Sequence, residues 1–220
     1  MRSYYSNSLT GFINDNEAKI LGDLALSHNH ALEDLQKNAW IDQIRMLKLE
    51  LSDIEHLYIY FEFSIPRMGK RVDNIILHGG RIYVLEYKVG ATKFEQHALD
   101  QVMDYALDLA SFHETSHNLE IVPVLIASGT DSQDIQIREG LGLVYQPVCI
   151  SKGQISELFQ HFPNISPINP SVWSEGIYKP TPTIIEAAQA MFQGHNVQDI
   201  SRSDGGTINL ARTMINEKQQ

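Results

Sequence analysis

Arg71-Val72-Asp73-Asn74-Ile75-Ile76-Leu77-His78-Gly79-Gly80-Arg81-Ile82-Tyr83-Val84-Leu85-Glu86-Tyr87-Lys88 is two β-rich runs divided by a glycine pair. β-Branched and aromatic residues favour strands, and Gly-Gly between two such runs favours a two-residue hairpin turn. That turn pairs His78 with Arg81. Counting outward, Leu77 meets Ile82, Ile75 meets Val84 and Asp73 meets Glu86. Alternation sets Asp73, Ile75 and Leu77 on one face, beside Ile82, Val84, Glu86 and Lys88. A turn longer by one residue would send Asp73 to the other face.

The same count brings chemistry together. Two carboxylates opposite one another on a strand pair repel. At the end of an apolar face, solvent screens that repulsion poorly, so a cation should offset it. Lys88 supplies one positive charge, and a divalent metal would supply more. Mg²⁺ takes oxygen ligands, is held by one or two carboxylates and keeps several waters. Two carboxylates, a lysine and room for water suit phosphodiester cleavage: the metal polarises the phosphate and helps generate hydroxide, and the lysine stabilises developing charge. The plainer reading of the same residues is a surface hairpin ending in an acid–base pair.

Working outward, 220 residues allow one domain, or one domain with an appendage. No run approaches the roughly 20 apolar residues of a membrane span. The stretch Met1-Arg2-Ser3-Tyr4-Tyr5-Ser6-Asn7-Ser8 has no signal-peptide core. Cys149 is the only cysteine, which excludes an intrachain disulfide and fits a reducing, cytoplasmic setting. A net charge of −10 argues against a surface that attracts nucleic acid everywhere. Positive charge gathers locally, however, at Arg67, Lys70, Arg71, Arg81, Lys88 and Lys93. Strand edges also carry such residues to block aggregation.

Apolar spacing predicts a short helix over 15–27, capped by Asn14 or Asp15, with Ile20, Leu21 and Leu24 as its stripe. A longer helix covers 31–51 through Leu32, Leu35, Ala39, Trp40, Ile44, Leu47 and Leu51. Leu57 to Ile65 reads as a strand, followed by a Pro66-Arg67-Met68-Gly69 turn. With a four-residue loop there, Ile65 opposes Lys70 and Glu62 opposes Asp73, which adds Glu62 to the carboxylate cluster or leaves it a solvated strand residue. A helix over 93–113 and a buried strand over 121–127 complete a crossover, placing the second strand parallel to the one bearing Glu86. A strand near 143–150 and a helix near 151–162 close the domain. Five prolines from Pro163 to Pro182 mark a connector, with short helices expected over 183–192, 197–200 and 207–217. The expected class is α/β: a three-strand antiparallel meander plus a parallel strand flanked by helices, with a C-terminal helical appendage.

Asp73, then Glu86-Tyr87-Lys88, then Gln101-Val102-Met103-Asp104-Tyr105 together resemble the Asp, Glu-x-Lys and Gln-x-x-x-Tyr elements of the PD-(D/E)XK nuclease superfamily, RecB-like branch. A wider likeness runs through Tyr4-Tyr5-Ser6-Asn7-Ser8, Gln36-Lys37-Asn38-Ala39-Trp40, Ile65 to Asp73 and Asp104 to Leu109. These stretches resemble the N-terminal region of bacterial nuclease–helicase fusions with a Schlafen-like motor, and Tyr178 to Thr183 through Asp199 to Asp204 resembles the lead-in to that motor. No Gly-x-x-x-x-Gly-Lys-Ser/Thr is present, so no ATP site is expected.

The resemblance implies a restriction-endonuclease-like core over 1–163 and a connector over 164–220 leading to a helicase motor. It implies a Mg²⁺- or Mn²⁺-dependent hydrolase acting on DNA or RNA, with DNA favoured. Asp73, Glu86 and the Tyr87 backbone carbonyl would hold the metal. Lys88, Gln101 and Glu62 would join catalysis, and Arg67, Lys70, Arg71 and Tyr105 would meet nucleic acid. A further acidic residue is drawn from Glu17, Glu33 or Glu62. A module that has lost catalysis and only binds or docks is the alternative.

A rival motif is His113-Glu114-Thr115-Ser116-His117, the H-E-x-x-H of zinc proteases. On a helix its two histidines would share a face and bind zinc, with Glu114 as base. It sits at a helix end, with Glu139 and His161 the formal third ligands. His28 and His30 read as surface loop residues.

Overall fold

In the computed structural model, which describes residues 2–28, 34–182, 184, 185 and 188, Gly79 and Gly80 both take left-handed backbone, with φ of 57° and 81°. Both central residues of a type I′ turn need positive φ, and glycine adopts it without a Cβ clash. His78 accordingly pairs with Arg81, Leu77 with Ile82 and Ile75 with Val84. A side chain at Gly80 would also strike Ile165 and the Ser166 carbonyl, which close over the turn.

The described elements run β1 (Tyr5–Ser8), α1 (Leu9–Asn14), α2 (Glu17–Ser27), α3 (Asp34–Glu50), β2 (Tyr58–Ile65), β3 (Lys70–His78), β4 (Arg81–Lys88), α4 (Gln96–Phe112), β5 (Ile121–Ala127), β6 (Val148–Ser151), α5 (Ile155–Gln160) and α6 (Pro170–Glu175). One open six-stranded sheet holds the strands in that order. Neighbours from β1 to β4 are antiparallel, and β4, β5 and β6 are parallel. α4 carries the crossover that joins β4 to β5, as parallel neighbours require. The meander and the parallel strand stand as expected in this mixed α/β architecture. β1 and α1 have no counterpart in the sequence pattern, because four strand residues and six helical ones are too few for a period to emerge. The α2 cap is Asn16, whose side chain accepts the Lys19 amide at 2.7 Å, so Asn14 and Asp15 lie outside that helix.

Helices cover both faces of the sheet. Ile20 and Leu24 of α2, Trp40, Ile44 and Leu47 of α3, and Leu158 and Phe159 of α5 pack with Phe61, Ile76, Tyr83 and Leu85. Val102, Tyr105 and Leu109 of α4 pack on the other face with Ile75, Ile82, Val84 and Leu125. Burying each such side chain contributes about 1.5–3 kcal/mol. The phase of this alternation changes once. Phe61 and Phe63 fall in opposite layers although both are odd-numbered, and so do Ile76 and Val72. Phe61 pairs with Asn74 and Phe63 with Val72, and the ladder has no pair between them, at the level of Glu62 and Asp73. Glu62 carries the change in its backbone, at φ 53°. A non-glycine residue rarely takes that conformation.

The chain beyond Pro163 stays on the core. Ile165 N donates to the Gly79 carbonyl at 3.0 Å, and Thr181 N to the Ser111 carbonyl at 2.9 Å. Trp173 of α6 is buried against Tyr60 and Phe63, with ring centroids 5.2 and 5.0 Å away, and its Nε1 donates to Ser116 Oγ at 2.8 Å. The boundary expected at 163 therefore falls inside one packed body. The helices expected over 197–200 and 207–217, and most of that over 183–192, lie outside the described residues. Among the described residues, no helix is long and apolar enough to cross a membrane. Trp173→Ala should lower unfolding stability in denaturant titration by about 3–5 kcal/mol, the usual loss for a large buried aromatic. Trp173→Phe, which keeps a ring but loses the indole N–H, should lose less.

Candidate active site

β4 and α4 bring three polar side chains into one closed set. Lys88 Nζ lies 3.0 Å from Glu86 Oε1 and 3.2 Å from Gln101 Oε1. Gln101 Nε2 donates to the same Glu86 Oε1 at 2.8 Å. Strand alternation projects Glu86 and Lys88 to one side, and α4 crosses that side. Gln101 Nε2 also reaches Tyr105 Oη at 2.9 Å, as four-residue spacing on one helix face allows. Tyr105 is buried, and burial pushes its phenol up to about 12. It therefore acts on the site through Gln101 and offers no open surface.

Asp73 joins from β3. The registered ladder ends at Asn74 and Leu85. One step further, Asp73 Oδ2 accepts the Tyr87 amide at 2.9 Å. A carboxylate thus replaces the backbone acceptor a regular ladder would supply. An extended residue points its N–H and C=O to the same strand edge, so the Tyr87 carbonyl also faces the Asp73 side.

Glu86 is 5% exposed, and its Oε2 is buried with no hydrogen-bond partner among the described residues. Leaving a charged acceptor in that state is costly, more than the roughly 1–3 kcal/mol of a neutral group. The carboxyl responds by favouring its neutral form: burial raises it, against the Lys88 bond and charge and the Gln101 bond. Asp73 is raised well above the usual carboxylate range, first by burial and then by the Glu86 charge, with the Tyr87 amide opposing. One ammonium beside two mutually repelling carboxylates leaves a deficit of positive charge, and the lone Oε2 is where a cation would meet it. Among the described residues, no three or more His, Cys, Asp or Glu side chains gather as a ready ligand cage. The residues present fit a hard divalent ion that needs only one or two carboxylates, a carbonyl and water.

Glu62 stands beside this pair, held from the opposite layer. Trp40 Nε1 donates to its Oε1 at 2.7 Å and Gln36 Nε2 at 3.3 Å. Its carboxyl is raised by burial, opposed by the Trp40 bond and the Arg71 charge, and the Glu86 charge adds to the rise. Sequence reading takes Trp40 only as part of the α3 apolar stripe. No local pattern marks an indole N–H as the partner of a strand carboxylate in another element. Glu17 is occupied by Arg45 at 2.7 and 2.9 Å, and Glu33 and His30 lie outside the described residues. His28 is half-buried between Tyr4 and Trp40, with ring centroids 6.1 and 5.7 Å away, and not a loose surface residue.

The expected phosphate-binding cations divide. Arg67 Nε bonds the buried Asp108 at 2.9 Å and its guanidinium stacks 3.8 Å over Phe112. Arg71 Nη1 donates to the Glu62 carbonyl at 2.5 Å and stacks 4.0 Å over Tyr4. Both tie the protein to itself. Lys70 is exposed, and its charge acts on Glu86.

The H-E-x-x-H segment is not helical through its length. α4 ends at Phe112, His113 caps it, and Glu114–Ser116 form a single 3₁₀ turn. Glu114 pairs with Lys179, and His113 Nδ1 lies 2.7 Å from Ser116 Oγ. Burial, first of all, lowers His113 to about 3. This histidine is a neutral core group packed on Trp173, without the helical face that zinc binding by this motif needs.

No family model matches this chain, and no curated protein matches it.

The two raised carboxyls give stability a pH dependence with a definite sign. In the folded state both release their protons at higher pH than in the unfolded chain. Their contribution is present in acid and is lost as pH rises through the folded titration. Asp73→Asn keeps an acceptor for the Tyr87 amide and removes the charge. In chelator, its stability relative to wild type should increase from about pH 5 to about pH 8 in thermal unfolding. A constant difference would mean that Asp73 ionises as freely folded as unfolded.

Proposed function

We propose that this chain is a Mg²⁺- or Mn²⁺-dependent phosphodiesterase of the PD-(D/E)XK nuclease type, acting on nucleic acid, on DNA before RNA, as the nuclease module of a larger helicase protein. The observation that carries this reading is the buried Glu86 carboxylate. One of its oxygens is locked by Lys88 and Gln101, the other has no partner among the described residues, and Asp73 lies beside it. Motif and geometry support each other. The residues that resemble the superfamily elements at Asp73, Glu86, Lys88 and Gln101 are the ones that meet in space.

Asp73, Glu86 and the Tyr87 carbonyl would hold the cation, which when bound polarises the scissile phosphate and acidifies water. The chain's own groups do the rest. Gln101 keeps Glu86 Oε1 engaged, so that Oε2 alone faces inward. Lys88 Nζ, fixed by two acceptors, donates to phosphate oxygen as negative charge develops there. A bond forms from water oxygen to phosphorus and the P–O ester bond breaks, leaving one phosphate end and one hydroxyl. Lys70, outside the site, attracts the substrate backbone.

Purified protein given DNA or RNA with Mg²⁺ or Mn²⁺ should cleave, and chelation should abolish cleavage. Lys88→Ala and Asp73→Asn should each lower the rate on the order of 10²–10³-fold, the usual loss of a group that stabilises developing charge. Equal cleavage by all three proteins would contradict the assignment. Cation-independent binding without cleavage, unaffected by Lys88→Ala, would identify a docking module instead. Lys70→Ala should weaken binding across all sequences and reduce the slope of log affinity against log salt by about 1.

A further inference from the structure

The crossover from β5 to β6 contains no helix. Parallel neighbours are usually joined through one, which then covers the sheet. Here residues 128–147 make the connection as an irregular loop. A loop of that length inside a packed domain is usually functional or disordered. This one is tied down: Ile135 is buried, Gln133 N donates to Gln154 Oε1 at 3.3 Å, and Gln146 N donates to the Arg138 carbonyl at 3.0 Å. Without a crossover helix, the side of β6 next to α4 stays open, and a cleft of about 580 Å³ lies between α4 and the loop. That volume suits a small-molecule ligand.

Register fixes where the cleft lies. Glu86 pairs with Leu125 and Leu125 with Cys149, so the three are level on adjacent parallel strands and face the same side. Strands lie about 4.8 Å apart, which puts Cys149, on the cleft floor, about 10 Å across the sheet from Glu86. The lining suits a flat, uncharged ring with polar edges. Leu99 and Met103 of α4, with Phe94 just before it, supply apolar surface. On the rim Asp100 and Asp134 outnumber Arg138, which disfavours a phosphate. Two rim amides are used inside the protein: Gln96 Nε2 donates to Asp100 Oδ1 at 2.7 Å, and Gln133 Nε2 to the Cys149 carbonyl at 3.2 Å. Gln136 and Gln146 are exposed and make no side-chain hydrogen bond among the described residues. A glutamine amide donates and accepts side by side, the pattern that matches a base edge, and apolar or aromatic side chains take the face of a base.

We propose that this cleft takes an unstacked nucleobase of the substrate strand, with Phe94 and Met103 against its face and Gln136 and Gln146 on its edge. At about 3.4 Å per nucleotide along a strand, that base lies within about three nucleotides of the scissile phosphate. The proposal rests on the nuclease reading above. It adds a contact to a base, which binding through phosphates alone does not provide.

Cys149 is the only cysteine, so its thiol reports whether the cleft is filled. The probe is a single-stranded oligonucleotide with cleavage-resistant phosphorothioate linkages, bound to saturation in Mg²⁺ as followed by fluorescence anisotropy. Alkylation of Cys149 by iodoacetamide, read by mass spectrometry of the intact protein, should then slow several-fold. An abasic strand of the same length should bind through its phosphates and leave the rate near that of free protein. Gln136→Ala combined with Gln146→Ala, both at exposed positions, should weaken binding of the base-bearing strand about tenfold, the loss of two hydrogen bonds, and leave the abasic strand unaffected. Phe94→Ala should act in the same direction by a similar factor. Equal protection by the two strands, or none by either at saturation, overturns this inference alone. Protection by adenosine or cytidine with none by the strand would make the cleft a free-nucleoside site and overturn its assignment to the substrate. Protein that binds neither strand overturns the inference together with the nuclease reading.

Discussion

A carboxylate buried beside another carboxylate is the constraint around which this molecule is arranged. Glu86 sits in the interior of a sheet, with Asp73 one step past the last registered pair of the two strands and an oxygen that no group among the described residues satisfies. Left alone, the pair can relax only by keeping protons. Lys88 and Gln101 answer part of the demand by closing on one oxygen, and Tyr105 steadies Gln101 from the next turn of α4. The rest of the demand stays open at Glu86 Oε2, where in the proposed reading a hard cation would meet it.

The fold supplies what that arrangement needs. The Gly79–Gly80 turn sets the register that runs to Asn74 and Leu85, one step short of Asp73 and Glu86. The break in alternation at Glu62 and Asp73 frees the latter from ladder duty, so that its side chain reaches the Tyr87 amide. The parallel strand β5 fixes β4 from its other side, and α4, spanning the two, lowers Gln101 onto Glu86. Each device is local, and they agree at one point of the sheet.

Much of this was legible in the residues. The glycine pair, strand alternation and four-residue spacing on α4 carry Asp73, Glu86, Lys88, Gln101 and Tyr105 to the same place, because those rules act over short range. What escaped depends on tertiary contact. A phase change at Glu62 cannot be seen in a strand whose neighbours all read as apolar or aromatic. The Trp40 indole looks like any core ring on its stripe. Arg67 and Arg71 read as open cations, yet packing gives them Asp108, Phe112 and Tyr4 instead. The H-E-x-x-H spelling carries no sign that α4 stops before it. The body of the fold also runs past Pro163, because Trp173 fills a space between Tyr60, Phe63 and His113.

Anomalous diffraction from a crystal soaked in Mn²⁺ addresses the central claim most directly. The account expects one peak between the carboxylates of Asp73 and Glu86, within coordination reach of the Tyr87 carbonyl. No peak there at saturating metal, or one at His113 and His117 instead, would contradict it.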